Sequence, residues 1–138
     1  MTTVEIQTMS GSSLAVGSSG PRTITIDRSK ESGGCGLGFN GGELLLLAIG
    51  GCYSNDIFRE AGKRGITVKN VRVTVRADWA GEPVRAQNVS FDVVLEADAT
   101  QAEIVDLIRH TDRVAEIPNS LRLGAEVKLA DAKAIPCR

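Results

Sequence analysis

The segment ELLLLAIGGCYSNDIFREAGKRG constrains this chain more than any other. It runs about twenty residues without proline, opens with Glu43 and closes on Lys63-Arg64-Gly65, the acid-first, base-and-glycine-last pattern of a helix. Its first half, Leu44 to Ile49, is apolar on all sides, so it must be covered by the rest of the chain or by another protein surface. That run is far shorter than the roughly 18–20 residues a membrane span needs. Gly50-Gly51 sits mid-helix at a cost of about 1 kcal/mol each against alanine, which implies close approach of another backbone or a ligand.

The elements around this helix follow from hydrophobic period. Val4 and Ile6 alternate with polar residues, as do Leu14 and Val16, with Ser10-Gly11-Ser12 as the turn between them. After Gly20-Pro21, RTITIDR reads as a third strand whose one face carries Arg22, Ile24, Ile26 and Arg28, and SKESGGCGLGFNGG reads as a loop. Beyond the helix, Val71, Val73 and Val75, then Val89, Phe91, Val93 and Leu95, mark two long strands with one wet face each, joined across Gly81-Glu82-Pro83 by a connection of about ten residues. Thr100 and Glu103 stand at capping-box spacing before a second helix, which Pro118 ends or kinks, and Ala125, Val127 and Leu129 supply a last strand. The order β-β-β-α-β-β-α-β, with strands in hairpins, argues for one α+β domain over 1–138 with a largely antiparallel sheet.

Composition narrows the function classes. Lys and Arg number 16 against 17 Asp and Glu, for a formal charge of −1, and the bases are scattered, so nucleic acid and anionic lipid are not expected partners. With aromatics at 4%, base-stacking platforms also lack material. Met1 to Ser10 has no basic segment followed by an apolar stretch, and a cytoplasmic protein that does not engage membranes is expected. Cys35, Cys52 and Cys137 are odd in number and form no C-x-x-C, and His110 is the sole histidine, so neither a disulfide framework nor a zinc site is expected, nor any other cofactor. His110, between Arg109 and Thr111, reads as a surface residue and Cys137 as a tail residue.

Cys52 is the residue with the most chemistry to offer. It reads either as a buried structural thiol or as a reactive thiolate, the second needing access and a positive neighbour to bring its pKa below about 8.5. Glu43 reads either as a helix-start acid stabilised by the dipole or as a site carboxylate. Nine residues on, Cys52 would lie about 13–14 Å away along the axis and roughly 180° around it, so the two cannot touch within one straight helix. They meet only if Glu43 comes from a second chain or the helix starts late enough to leave it in a loop.

GGELLLLAIGGCYSNDIFREAGKRGITVKNVRVTV resembles the signature of the OsmC/Ohr superfamily, the osmotically inducible protein C and organic hydroperoxide resistance proteins, in which an E-L-L-L-x-A-x-G-x-C helix precedes a strand opening near a glycine. ITIDRSKESGG likewise resembles the strand, aspartate and Gly-Gly loop of the OsmC-like branch. The resemblance implies an intertwined homodimer with the long helices at its centre. It also implies thiol-dependent reduction of organic hydroperoxides, with Cys52 as the peroxidatic residue, Arg28 activating it and Glu43 orienting Arg28. The family's second cysteine opens a C-P-[VI]-S-x-T-L segment, and against Ala115-Glu116-Ile117-Pro118-Asn119-Ser120-Leu121 the resemblance puts Ala115 in its place. A sulfenic acid without a nearby thiol is exposed to over-oxidation, so an external thiol reductant is expected, or Cys35 as a substitute resolver. The alternative is a non-catalytic relative that binds a small lipophilic ligand, or a one-cysteine redox sensor.

Overall fold

A computed structural model describes residues 1–137. Its elements are β1 (Glu5–Thr8), β2 (Ala15–Ser19), β3 (Arg22–Ile26), α1 (Gly41–Lys63), β4 (Thr67–Ala80), β5 (Arg85–Asp98), α2 (Gln101–Val114) and α3 (Glu116–Arg122). Two antiparallel sheets result, β1-β2-β3 and β4-β5, so the α+β architecture is as expected. β4 and β5 are 14 residues each and pair in a register that sets Val71, Val73 and Val75 opposite Leu95, Val93 and Phe91. That alternation turns one apolar face toward α1 and leaves Arg72, Thr74 and Arg76 in water. The strands run so far that only residues 81–84 join them, not about ten.

The core lies between this ribbon, α1 and α2. Tyr53, Ile57, Ala61, Leu107 and Ala115 are fully buried, with Val71, Val73, Phe91 and Val93 packed against them. The Tyr53 and Phe91 rings meet at 4.9 Å and 53°, and the Tyr53 hydroxyl donates to the Ile108 carbonyl at 2.7 Å, so the ring's polar end is satisfied. A Cβ on Gly50 would lie 3.1 Å from Val75 Cγ2, a side chain of β4 rather than the backbone or ligand expected, and Gly51 faces open space. No residue of this core comes from β1–β3.

Both helices begin as their sequences dictate. Asn40 caps α1 through a reciprocal capping box with Glu43, and Thr100 does the same for α2 with Glu103. After α2 the chain departs from expectation. Pro118 neither ends nor kinks that helix. Ala115 is extended, and Pro118 falls in the first turn of α3, where a missing N–H costs nothing. Among the described residues the last strand expected at Ala125 to Leu129 does not form. Val127 and Leu129 are 94% and 86% exposed.

Candidate active site

Cys52 lies half-buried in the middle of α1, and three groups converge on its sulfur. Asp56, one turn on, brings Oδ2 to 3.6 Å, and Glu116, at the start of α3, brings Oε2 to 3.8 Å. The Ile117 amide donates to Sγ at 3.5 Å. The extended backbone at Ala115 carries the chain from α2 into α3 and so presents Glu116 and Ile117 to the thiol. Asn119 Nδ2 donates to the Arg113 carbonyl at 2.9 Å and steadies that corner.

Arg59 sits behind the two acids. Its Nη1 meets Asp56 Oδ1 at 3.0 Å and Glu116 Oε1 at 2.8 Å, while its Nε meets Glu60 Oε1 at 3.0 Å. Lys63 Nζ and His110 Nε2 complete the row on Glu60, at 3.0 and 3.1 Å. His110 is therefore half-buried against a buried acid rather than a surface residue. Cys52, Asp56, Glu60 and Lys63 recur at steps of three and four, which puts them on one stripe of α1.

This electrostatic setting holds the thiol protonated. Burial pushes the Cys52 thiol up, and the charges of Asp56 and Glu116 push the same way, against the Ile117 amide, which favours the thiolate. Burial also raises Asp56, helped by its bond to Glu116 and opposed by Arg59. Glu116 is held down to about 2, first by its hydrogen bond from Asp56 and then by backbone and Arg59 donors. The two carboxylates are thus driven in opposite directions, Asp56 up and Glu116 down. Cys52, Asp56 and Glu116 are also close enough, within 4.8 Å of one another, to hold a metal ion, with Arg59 already on the outer oxygen of each carboxylate.

The expected partners of the thiol lie elsewhere in the chain. Glu43 is inside α1 and committed to its cap, accepting from the Asn40 amide at 3.0 Å, so a late helix start is ruled out and the full helical separation from Cys52 stands. Arg28 is exposed and lies past the end of β3, not on its face, in a loop that turns away at Asp27. That loop is wound around the Asp27 carboxylate, which is 2% exposed and accepts from the Ser13 hydroxyl and the Arg28, Cys35 and Leu37 amides at 2.8–3.2 Å. A Cβ at Gly34 would fall 2.2 Å from the Arg28 carbonyl oxygen, which is why the turn needs glycine. Cys35 is exposed on this loop and makes no contact with Cys52 in the chain.

Ala115 is fully buried in the core and is not the residue at the sulfur. In a C-P pair the cysteine directly precedes the proline, and here Ile117 directly precedes Pro118 and meets Sγ through its amide. Sequence reading missed Asp56, Arg59 and Glu116. The signal for the first was its four-residue step from Cys52 on a helix; nothing local announced Glu116, which a chain reversal brings in from 64 residues away.

Among the clefts that border α1, one of about 440 Å³ is lined by Glu43, Leu46, Leu47, Gly50, Val73 and Val75, and one of about 330 Å³ by Leu45, Ile49, Val89, Phe91, Pro118 and Leu121. The second takes in Ile49, one helical turn before Cys52, and Pro118, next to the residue whose amide meets Sγ. Among the described residues no helix is long and apolar enough to cross a membrane.

A family model described as OsmC-like protein matches residues 33–130. No curated protein matches the chain. Among solved structures, an OsmC-like protein from Mycoplasma pneumoniae superposes with a TM-score of 0.77 over 91% of this chain and 89% of that one, at 18% identity. An organic hydroperoxide resistance protein OsmC from Legionella pneumophila gives 0.61 over 88% and 89% at 20% identity. The organic hydroperoxide resistance protein OhrB of Bacillus subtilis gives 0.62 over 90% and 92% at 13%. At such identities the likeness is one of fold.

Proposed function

Because the chain belongs to the OsmC-like protein family, we propose that it reduces organic hydroperoxides through the thiol of Cys52. The observation that carries this reading is a half-buried thiol with an amide N–H on its sulfur, one helical turn from Ile49 in the wall of an apolar cleft of about 330 Å³. The cleft takes the hydrocarbon part of the peroxide, and the sulfur attacks the distal oxygen to give a sulfenic acid and an alcohol. With Ile117 where a second thiol would stand and Cys35 held apart on the Asp27 loop, an external thiol returns Cys52 to the reduced state.

The same proposal includes a second copy of the chain. Leu47 is 51% exposed, Leu44 to Leu46 are only half covered, and β1–β3 contribute nothing to the core, so a large apolar area waits for a partner. Since Glu43 cannot reach Cys52 of its own helix, it and Arg28 serve the thiol only from the partner chain. There the guanidinium supplies the positive charge that Cys52 lacks within its own chain.

Consumption of cumene hydroperoxide by the purified protein, with dithiothreitol and separately with a dihydrolipoyl donor, tests this reading. Turnover that disappears in Cys52→Ser supports it, and equal rates in both proteins overturn it. A one-cysteine redox sensor, or a binder of a small lipophilic ligand, is the second reading, favoured by Ile117 at the sulfur. It gives oxidation of Cys52 without repeated turnover.

A further inference from the structure

A peroxide-reducing thiol needs a path for one proton from the sulfur to the leaving oxygen. Attack by Sγ requires the thiol to lose it, and the departing alkoxide requires it. Asp56 is 5% exposed, and Arg59 ties down its outer oxygen together with that of Glu116, at 3.0 and 2.8 Å. This leaves the inner oxygens, Oδ2 and Oε2, turned to the sulfur at 3.6 and 3.8 Å. The groups facing Asp56 are Cys52 and Arg59 from α1 and Glu116 from α3. With their outer oxygens held by Arg59, the inner oxygens are the ones free to take the thiol proton.

Resting on the reading of Cys52 as the peroxide-reducing thiol, we propose that Asp56 and Glu116 are its proton relay, receiving the thiol proton and supplying one to the leaving alkoxide. In the balanced step a sulfur lone pair attacks the distal oxygen of ROOH, the S–O bond forms and the O–O bond breaks. The sulfur is oxidised by two electrons and the peroxide is reduced. The thiol proton passes to an inner carboxylate oxygen and from there to RO⁻, giving ROH and leaving Cys52 as sulfenic acid and the pair as it began. An external thiol then condenses with the sulfenic acid, releasing water, and a second one frees Cys52 as the external disulfide forms. Arg59 is a positioning residue: it orients both acids and does not touch the sulfur.

Two reactions of the same sulfur separate this role from simple charge. Alkylation by iodoacetamide releases iodide and needs no acid, whereas oxidation by cumene hydroperoxide releases an alkoxide that does. In Glu116→Gln and Asp56→Asn, loss of a negative charge favours the thiolate, so alkylation at pH 7 rises severalfold. Single-turnover oxidation of Cys52 falls by tenfold or more, because the acid is gone. Rates that move together, or oxidation that does not fall, overturn the relay and leave the peroxidase reading standing. Wild-type protein whose Cys52 is alkylated but not oxidised by the hydroperoxide overturns the peroxidase reading and the relay with it. Glu116 has 61% of its side chain exposed, so Glu116→Gln keeps the test open should Asp56→Asn fail to fold.

Discussion

The two halves of α1 contrast in a way their sequences invert. Leu44 to Ile49 is the most apolar run of the chain, yet Leu47 and Ala48 are exposed and Leu44 to Leu46 half-buried. The later half carries Cys52, Asp56, Arg59, Glu60 and Lys63, yet it holds Tyr53, Ile57 and Ala61, the heart of the core. Hydrophobicity says how much a segment must be covered, not what covers it. The polar half is finished within the chain because α2, α3 and the β4-β5 ribbon close on it, and its charged residues are satisfied along one stripe. The apolar half is left largely open.

The contrast is broken or sharpened first by truncating its finished side. Ile57→Ala removes a fully buried side chain and is expected to cost about 2–5 kcal/mol in chemical denaturation. A cost below about 1 kcal/mol would mean that this half is looser than described. On the open side, Leu47→Glu leaves the core intact and is expected to halve the mass seen by light scattering at low micromolar concentration. Wild-type protein that is already monomeric there removes the second copy from the argument.

A third effect separates the halves by pH. Glu60 is held down to about 2, chiefly by Lys63 and then by Arg59, against 4.5 for the free side chain. A depressed carboxyl stabilises the fold fully above 4.5 and loses that contribution as pH falls from 4.5 toward 2. Acid titration of stability should therefore be shallower over that window in Glu60→Gln than in the wild type. The smallest effect lies at the junction of the halves. Gly51→Ala meets open space and should stabilise by about 1 kcal/mol, whereas Gly50→Ala meets Val75 at 3.1 Å and should gain less or lose. Destabilisation by Gly51→Ala, seen only in the associated protein, would locate a second chain against that turn.

The parts of the fold that were legible are those fixed by local chemistry. The capping boxes at Asn40 and Thr100, the alternation of Val71 to Val75 and the Lys63-Arg64-Gly65 stop each involve residues within a few positions of one another. What was misread depended on a surface the residue itself cannot specify. Val127 and Leu129 have strand character, but a strand needs an edge. Pro118 could end one helix or begin another, and only the reversal at Ala115 decides. At the site, Cys52 was legible as the thiol, but its neighbours were not, because Glu116 and Ile117 arrive by tertiary packing.

The Asp27 carboxylate has a consequence for how this chain can vary in length. Its four donors come from Ser13 in one hairpin and from the amides of Arg28, Cys35 and Leu37, so the glycine-rich loop is pinned at its two ends, with one exposed 3-10 turn, Lys30–Ser32, between them. Residues added at that turn would break its own short bonds but lengthen the excursion with an entropic penalty that grows only as the logarithm of loop length. Asp27→Ala, by contrast, releases all four of these bonds at once and leaves backbone bonds such as that from the Gly36 amide to the Arg28 carbonyl to hold the loop. The loop is therefore tolerant of insertion and intolerant of one substitution, so across related chains its size can drift while its attachment stays put.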